Sequence, residues 1–134
     1  MDEISKQLVN VKDDTEKVKI VYKYITSNFK YDQEKASSIQ PGYLPDLNDV
    51  ARFGKAICYD YASLFAAVLR SNQIPTKLVM GYRNDMEAYH AWNEVLLDGK
   101  WVIIDTTVDS SIVQSGRKTD MVKDPSIFIT TREH

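Results

Sequence analysis

Tyr89-His90-Ala91-Trp92-Asn93-Glu94-Val95-Leu96-Leu97-Asp98-Gly99-Lys100-Trp101-Val102-Ile103-Ile104-Asp105-Thr106-Thr107 is the stretch on which the fold turns. Tyr89 to Leu97 and Lys100 to Thr107 are rich in β-branched and aromatic residues, and Asp98-Gly99 between them is a strong signal for a tight hairpin turn. A two-residue turn pairs Leu97 with Lys100, and hence Trp92 with Asp105 and His90 with Thr107. His90 and Asp105 then share a face as diagonal neighbours, roughly 7 to 8 Å apart at the backbone, a separation their side chains can close with a hydrogen bond. A four-residue loop keeps this register, whereas a three-residue loop breaks it. The same face carries Trp92, Leu96, Trp101 and Ile103, so it requires apolar cover.

Working outward, Lys77 to Arg83 reads as a third antiparallel strand, and a helix beginning at Cys58 is the candidate cover. Its stripe is Ala62, Phe65, Ala66 and Leu69, and it stops near Asn72, which suits a left-handed C′ position, with Pro75 beyond. Cys58 therefore stands at a helix N-terminus, and Asp60 is expected to cap that helix while facing solvent. Val18, Val21, Tyr22, Ile25 and Phe29 recur at helical spacing behind an Asp13 or Asp14 N-cap, and a weaker helix precedes them around Ile4 to Val11. Residues 32 to 53 lose periodicity and carry Pro41-Gly42 and Pro45, which predicts a long functional loop. Within it, Asp46 to Phe53 can make a short helical turn with Leu47, Val50 and Ala51 inward. Residues 109 to 124 read as a polar loop and Ile127 to Thr131 as a short edge strand. No internal repeat or low-complexity tract interrupts the chain.

The 134 residues, 43% hydrophobic and 27% charged, suit one domain spanning 1–134. A net charge of -2 without a Lys/Arg cluster argues against nucleic acid or anionic lipid as the main partner. No apolar run reaches the roughly 18 to 20 residues of a membrane span, and Met1 to Lys6 is polar, so a soluble chain without membrane insertion is expected. One cysteine excludes an intrachain disulfide. With two histidines and no zinc or EF-hand spacing, neither a metal nor another cofactor is expected.

If the helix covers the hairpin, thiol, imidazole and carboxylate meet, and each has a chemical task. The thiolate attacks a carbonyl, the imidazole moves protons, and the carboxylate fixes the ring's tautomer and charge. The helix dipole and a nearby imidazolium both favour the thiolate. Taken singly, Cys58 reads as a small buried hydrophobe, His90 as a satisfied core histidine and Asp105 as a strand-end cap. Their joint placement reverses that balance. The Cys58 backbone N–H is a candidate oxyanion donor, with Gln40, Asn48 or Arg52 of the preceding loop as candidates for a second. Tyr43 in the loop and Tyr89 beside His90 are placed near the cleft on the substrate side, together with Gln40 and Asn48. Trp92 and Trp101 are read as packing against the Cys58 helix.

Gly54-Lys55-Ala56-Ile57-Cys58-Tyr59-Asp60-Tyr61-Ala62, Gly81-Tyr82, His90-Ala91-Trp92-Asn93-Glu94-Val95 and Trp101-Val102-Ile103-Ile104-Asp105-Thr106-Thr107 together resemble the transglutaminase-like superfamily core. The likeness is strong over about residues 52 to 109 and looser at Tyr22 to Tyr31 and Ser126 to Thr131. It implies an α+β, papain-like fold: a cysteine-bearing helix packed on an antiparallel sheet, with an additional N-terminal helix. It also implies Cys58 as nucleophile, His90 as general base and Asp105 as orienting carboxylate. Ala56 replaces the family's usual glycine, and Thr106 replaces the usual proline, where a strand-end threonine is expected to serve. Members of this superfamily cross-link glutamine to amines, deamidate, hydrolyse amides, or have lost activity. The expected activity is cysteine-dependent acyl transfer on a carboxamide or peptide bond of a protein or peptide, with hydrolysis or deamidation preferred to transamidation. The alternative is a non-catalytic interaction module that retains the fold. The resemblance further favours a monomer or part of a larger chain, extracellular or at the cell surface, with the cytoplasm as the alternative.

Overall fold

In the computed structural model, which describes residues 2–134, Asp13 caps the helix that follows it by accepting the Glu16 N–H at 3.1 Å. Helix α1 (Asp2–Leu8) precedes α2 (Asp14–Asn28), whose Val18, Val21, Tyr22 and Ile25 are buried as their spacing predicts. Strand β1 (Lys30–Tyr31) then leads into the segment expected to be a loop, which contains helices α3 (Gln33–Ser38) and α4 (Leu47–Phe53). Asp46 caps α4 by accepting the Asn48 and Asp49 N–H groups, and Val50 is buried. Asp32 caps α3, which buries no residue. Hydrophobic periodicity therefore gave no sign of α3.

Gly54 ends α4 at φ +66°, a left-handed conformation that favours glycine. Strand β2 (Lys55–Ala56) follows and pairs in parallel with β1, Lys30 opposite Lys55 and Tyr31 opposite Ala56. Two residues later the chain enters α5 (Cys58–Ser71), so this short ladder fixes where α5 begins. Its C-terminus departs from expectation at Asn72, which has φ −103°. Gln73 takes the left-handed position at φ +59°, and the Ile74 N–H reaches back to the Leu69 carbonyl at 3.0 Å. That six-to-one bond is a Schellman cap, which places the special conformation one residue later.

Strands β3 (Thr76–Arg83), β4 (His90–Leu97), β5 (Lys100–Ile104) and β6 (Phe128–Glu133) form an antiparallel sheet in the order β5-β4-β3-β6. Asp98 and Gly99 both have positive φ, and the register runs from Leu97 opposite Lys100 to Asn93 opposite Ile104. The ladder stops there, short of the expected Trp92 and Asp105 pair. Asp105 instead caps helix α6 (Thr106–Gln114) by accepting the Val108 N–H at 3.3 Å. Thr106 is therefore the first helical residue rather than a strand end, and most of the helix fills residues expected to be loop. Its docking is polar: Ser110 Oγ and Gln114 Nε2 donate to the Phe29 carbonyl at 2.9 and 2.6 Å. A short 3-10 turn (Pro125–Ile127) leads to β6, the edge strand expected near Ile127.

Helix α5 lies between the sheet and α2 with α6, and its Phe65 and Leu69 join Val95, Leu97 and Ile104 in the main core. Ala62 packs with Leu78 and Ala91, and Asn93 Nδ2 donates to the Ala62 carbonyl at 3.0 Å. The face under α5 is thus Ala91, Asn93, Val95 and Leu97. Trp92, expected on that face, instead packs on Phe128 with ring centroids 4.8 Å apart. Trp101 is 39% exposed beneath the Lys77 ammonium. The expectation failed because β4 is apolar on both sides, so alternation does not say which side the helix takes. Gly81 lies between β4 and β6, where an added Cβ would stand 2.0 Å from the Ile129 carbonyl oxygen.

Candidate active site

Cys58 is half-buried at the first position of α5. The first bond of that helix is Tyr61 N–H to the Ile57 carbonyl at 3.0 Å, so the Cys58 N–H precedes the helix's own bonding. Asp60 secures this terminus by accepting the Ile57 N–H at 3.0 Å. The expected capping is present, but the expected exposure is not: Asp60 is 0% exposed. Lys35 Nζ at 2.8 Å and the Tyr43 hydroxyl at 2.5 Å both donate to it. Those partners come from α3 and the following loop, so sequence near Asp60 carries no sign of them.

His90 and Asp105 meet as the hairpin register predicts. His90 Nε2 donates to Asp105 Oδ2 at 2.8 Å, and both side chains are buried. The contact survives the end of the ladder because the strand pairing carries the chain directly to the Asp105 cap. Burial alone would lower the His90 pKa, but hydrogen bonds and charge from Asp105 and Cys58 push it up to about 9. Burial works against ionised Asp105 too, yet His90 and Arg83 hold its carboxyl below the usual carboxylate range. With Nε2 committed to Asp105, Nδ1 is the ring nitrogen left to meet Cys58. Trp92 stacks on His90 with centroids 6.2 Å apart and backs the imidazole from the side away from α5.

Arg83 was not anticipated by the sequence reading. It leaves β3 buried and donates through Nη1 to Asp105 Oδ2 at 2.7 Å. Its other face holds Asp85 in a two-point contact, Nε to Oδ1 and Nη2 to Oδ2, each at 2.8 Å. Two buried donors therefore converge on one carboxylate oxygen. The available signal was an arginine ending a strand next to the histidine strand, which hydropathy alone cannot separate from a surface charge.

Cys58 and His90 open onto a cavity of about 340 Å³ walled by Ile39, Tyr59, Met80, Tyr89 and Ala91. A second cavity of about 320 Å³ meets the first at Cys58 and continues along Tyr31, Gln33, Ser37 and Ala88. Of the expected substrate-side residues, Tyr89 lines both cavities, with its hydroxyl bonded to Thr131 Oγ1 at 2.7 Å. Tyr43 lies close by but is bound to Asp60 and edge-on to Tyr59, which makes it a support for the helix terminus. Gln40 lines neither cavity and bonds back to the Ser38 carbonyl at 3.4 Å. Asn48 lies in a groove with Ile4, Val68 and Asn72 toward the other end of α5, a correction forced by α4, which turns it away. Arg52 lies over the exposed Phe53 ring. Among the described residues, no group of three or more His, Cys, Asp or Glu side chains converges to hold a metal ion, and no helix is long and apolar enough to cross a membrane.

Comparison with known proteins agrees with this architecture. The kyphoscoliosis peptidase of Mus musculus is 29% identical over 123 residues, covering 84% of this chain and 18% of that protein. The chain thus spans less than a fifth of the length of this curated relative. A candidate cysteine protease from Cytophaga hutchinsonii superposes with a TM-score of 0.72 at 20% identity, covering 99% of this chain and 40% of that one. Calcium-bound LapG of Legionella pneumophila gives a TM-score of 0.75 at 11% identity, covering 98% and 70%. At these identities the structures share the fold alone. A model of the transglutaminase-like superfamily matches residues 2–106, from α1 through the hairpin to Thr106 at the start of α6, and the chain belongs to that superfamily.

Proposed function

We propose that this chain is a cysteine-dependent acyl-transfer enzyme acting on a carboxamide or peptide carbonyl of a protein or peptide. The observation that carries the reading is buried His90, bonded through Nε2 to buried Asp105 at 2.8 Å and lining one cavity with Cys58. In the proposed cycle Cys58 Sγ, as thiolate, attacks the carbonyl carbon and the carbonyl oxygen takes the negative charge. The Cys58 N–H at the start of α5 faces that oxyanion with the positive end of the helix dipole behind it. The C–N bond breaks as His90 Nδ1 gives its proton to the departing amine, leaving a thioester. Water then gives a proton to Nδ1 and adds to the thioester, the C–S bond breaks, and the thiolate and imidazolium return. Asp105 stays ionised throughout and keeps the ring in the tautomer that presents Nδ1 to the sulfur.

Water is the favoured acceptor because the half-buried thiol stands where two open cavities meet. The test is mass spectrometry of glutamine-containing peptides incubated with the protein, with and without a primary amine. Cleavage or deamidation that disappears in Cys58→Ala supports hydrolysis, while a Cys58-dependent amine adduct assigns transamidation. A peptide set left unchanged under all conditions contradicts the reading.

A further inference from the structure

The walls around Cys58 carry chemistry of their own. Besides Cys58 and His90, the 340 Å³ cavity is lined by Ile39, Ile57, Tyr59, Met80, Tyr89 and Ala91, none of them charged. The Tyr89 hydroxyl is engaged with Thr131, which leaves its ring to the cavity. Ile39 and Tyr89 are 40% and 47% exposed, so large apolar surface is left open beside the thiol. The nearby charges are already committed: Lys35 to Asp60 at 2.8 Å, Arg83 to Asp105 and Asp85, and the His90 ring to Asp105 at 2.8 Å. A charged group entering the cavity would lose its water without meeting a free counter-charge. The volume suits one large side chain with part of its backbone.

Resting on the acyl-transfer reading above, we infer that this cavity is a specificity pocket for an aliphatic or aromatic side chain flanking the attacked peptide carbonyl. Ile39 and Tyr89 form its rim, and Met80 and Ala91 form the wall supplied by the sheet. Filling it with Leu or Phe removes apolar area from water on both partners. That burial favours such substrates over Asp or Lys analogues by about 10- to 100-fold in the rate of acylation.

The test uses four peptidyl acyloxymethyl ketones that differ only in the residue beside the ketone: Leu, Phe, Asp or Lys. Cys58 Sγ forms a C–S bond to the methylene carbon as the C–O bond breaks, and the carboxylate leaves, so intact mass reports the adduct. Leu and Phe probes are expected to react about 10- to 100-fold faster than the other two. Ile39→Lys, a change at the exposed rim, is expected to raise the rate of the Asp probe relative to Leu by about tenfold. Equal rates for all four probes, a preference for a charged probe, or an Asp-to-Leu ratio unchanged by Ile39→Lys in a protein with native circular dichroism would overturn the pocket. Labelling by iodoacetamide separates this from the underlying reading. If it remains fast and His90-dependent while the probes show no preference, the pocket alone fails. If it does not depend on His90, the acyl-transfer reading fails with it.

Discussion

Replacing Asp105 with Asn keeps the shape of the side chain and removes its charge from a position that is 0% exposed. In the native protein the Asp105 hydrogen bond is a leading support for His90, whose pKa stands at about 9 against an ordinary 6.5. That difference corresponds to about 3 kcal/mol of stability carried by the protonated ring. The sign follows from proton uptake: the folded state binds this proton more tightly than the unfolded chain. The stabilisation is therefore complete below about pH 6.5 and is lost as pH rises through about 9. In Asp105→Asn the burial of His90, which opposes its charge, is offset by Cys58 alone, and the Arg83 cation loses one of its two carboxylates. His90 should then titrate below its native value, with Cys58 as its remaining support. The ring protons of the chain's two histidines, assigned with His134→Asn, give the titration directly by NMR. Urea unfolding near pH 6 and again above pH 9 should show the gap between native and variant protein shrinking by up to about 3 kcal/mol. An unchanged His90 titration in Asp105→Asn, or a stability gap independent of pH, would show that Asp105 does not hold the His90 proton.

Arg83→Met removes the cation 2.7 Å from Asp105 Oδ2 and leaves that buried carboxylate to His90 and the Val108 N–H. The variant should lose about 3 kcal/mol in urea unfolding, and its His90 should titrate above the native value, because a positive neighbour has gone. Gln73→Gly relieves a left-handed residue at φ +59° in the cap of α5 and should raise stability by about 0.5 to 1 kcal/mol, read from the urea midpoint.

The parts of this structure legible from sequence are those set by local pattern. The Asp98-Gly99 turn fixed the register, and the register brought His90 to Asp105. Helix α2 announced itself by spacing, and α5 by its stripe, with Cys58 at its first residue. What escaped was set by partners distant in the chain. Helix α6 buries Ser110 and points Gln114 at the carbonyls of Thr26 and Phe29, so its docked face is polar and hydropathy reads it as loop. Asp60 looks like a solvated cap until Lys35 and Tyr43 fold over it. Arg83 looks like surface charge until β3 delivers it to Asp105. The side of β4 taken by α5 was equally hidden, because Trp92 and Leu96 on one side are as apolar as Ala91 and Val95 on the other.

Whether Cys58 and His90 act together is read from the rate at which iodoacetamide alkylates Cys58 near pH 6, where an ordinary cysteine with a pKa of about 8.5 is almost wholly thiol. A thiolate held by imidazolium should react at least about tenfold faster than a cysteine peptide, and His90→Ala should remove that advantage. A rate equal to the peptide's, or one that His90→Ala leaves unchanged in a folded protein, would mean that Cys58 and His90 do not form a thiolate–imidazolium pair.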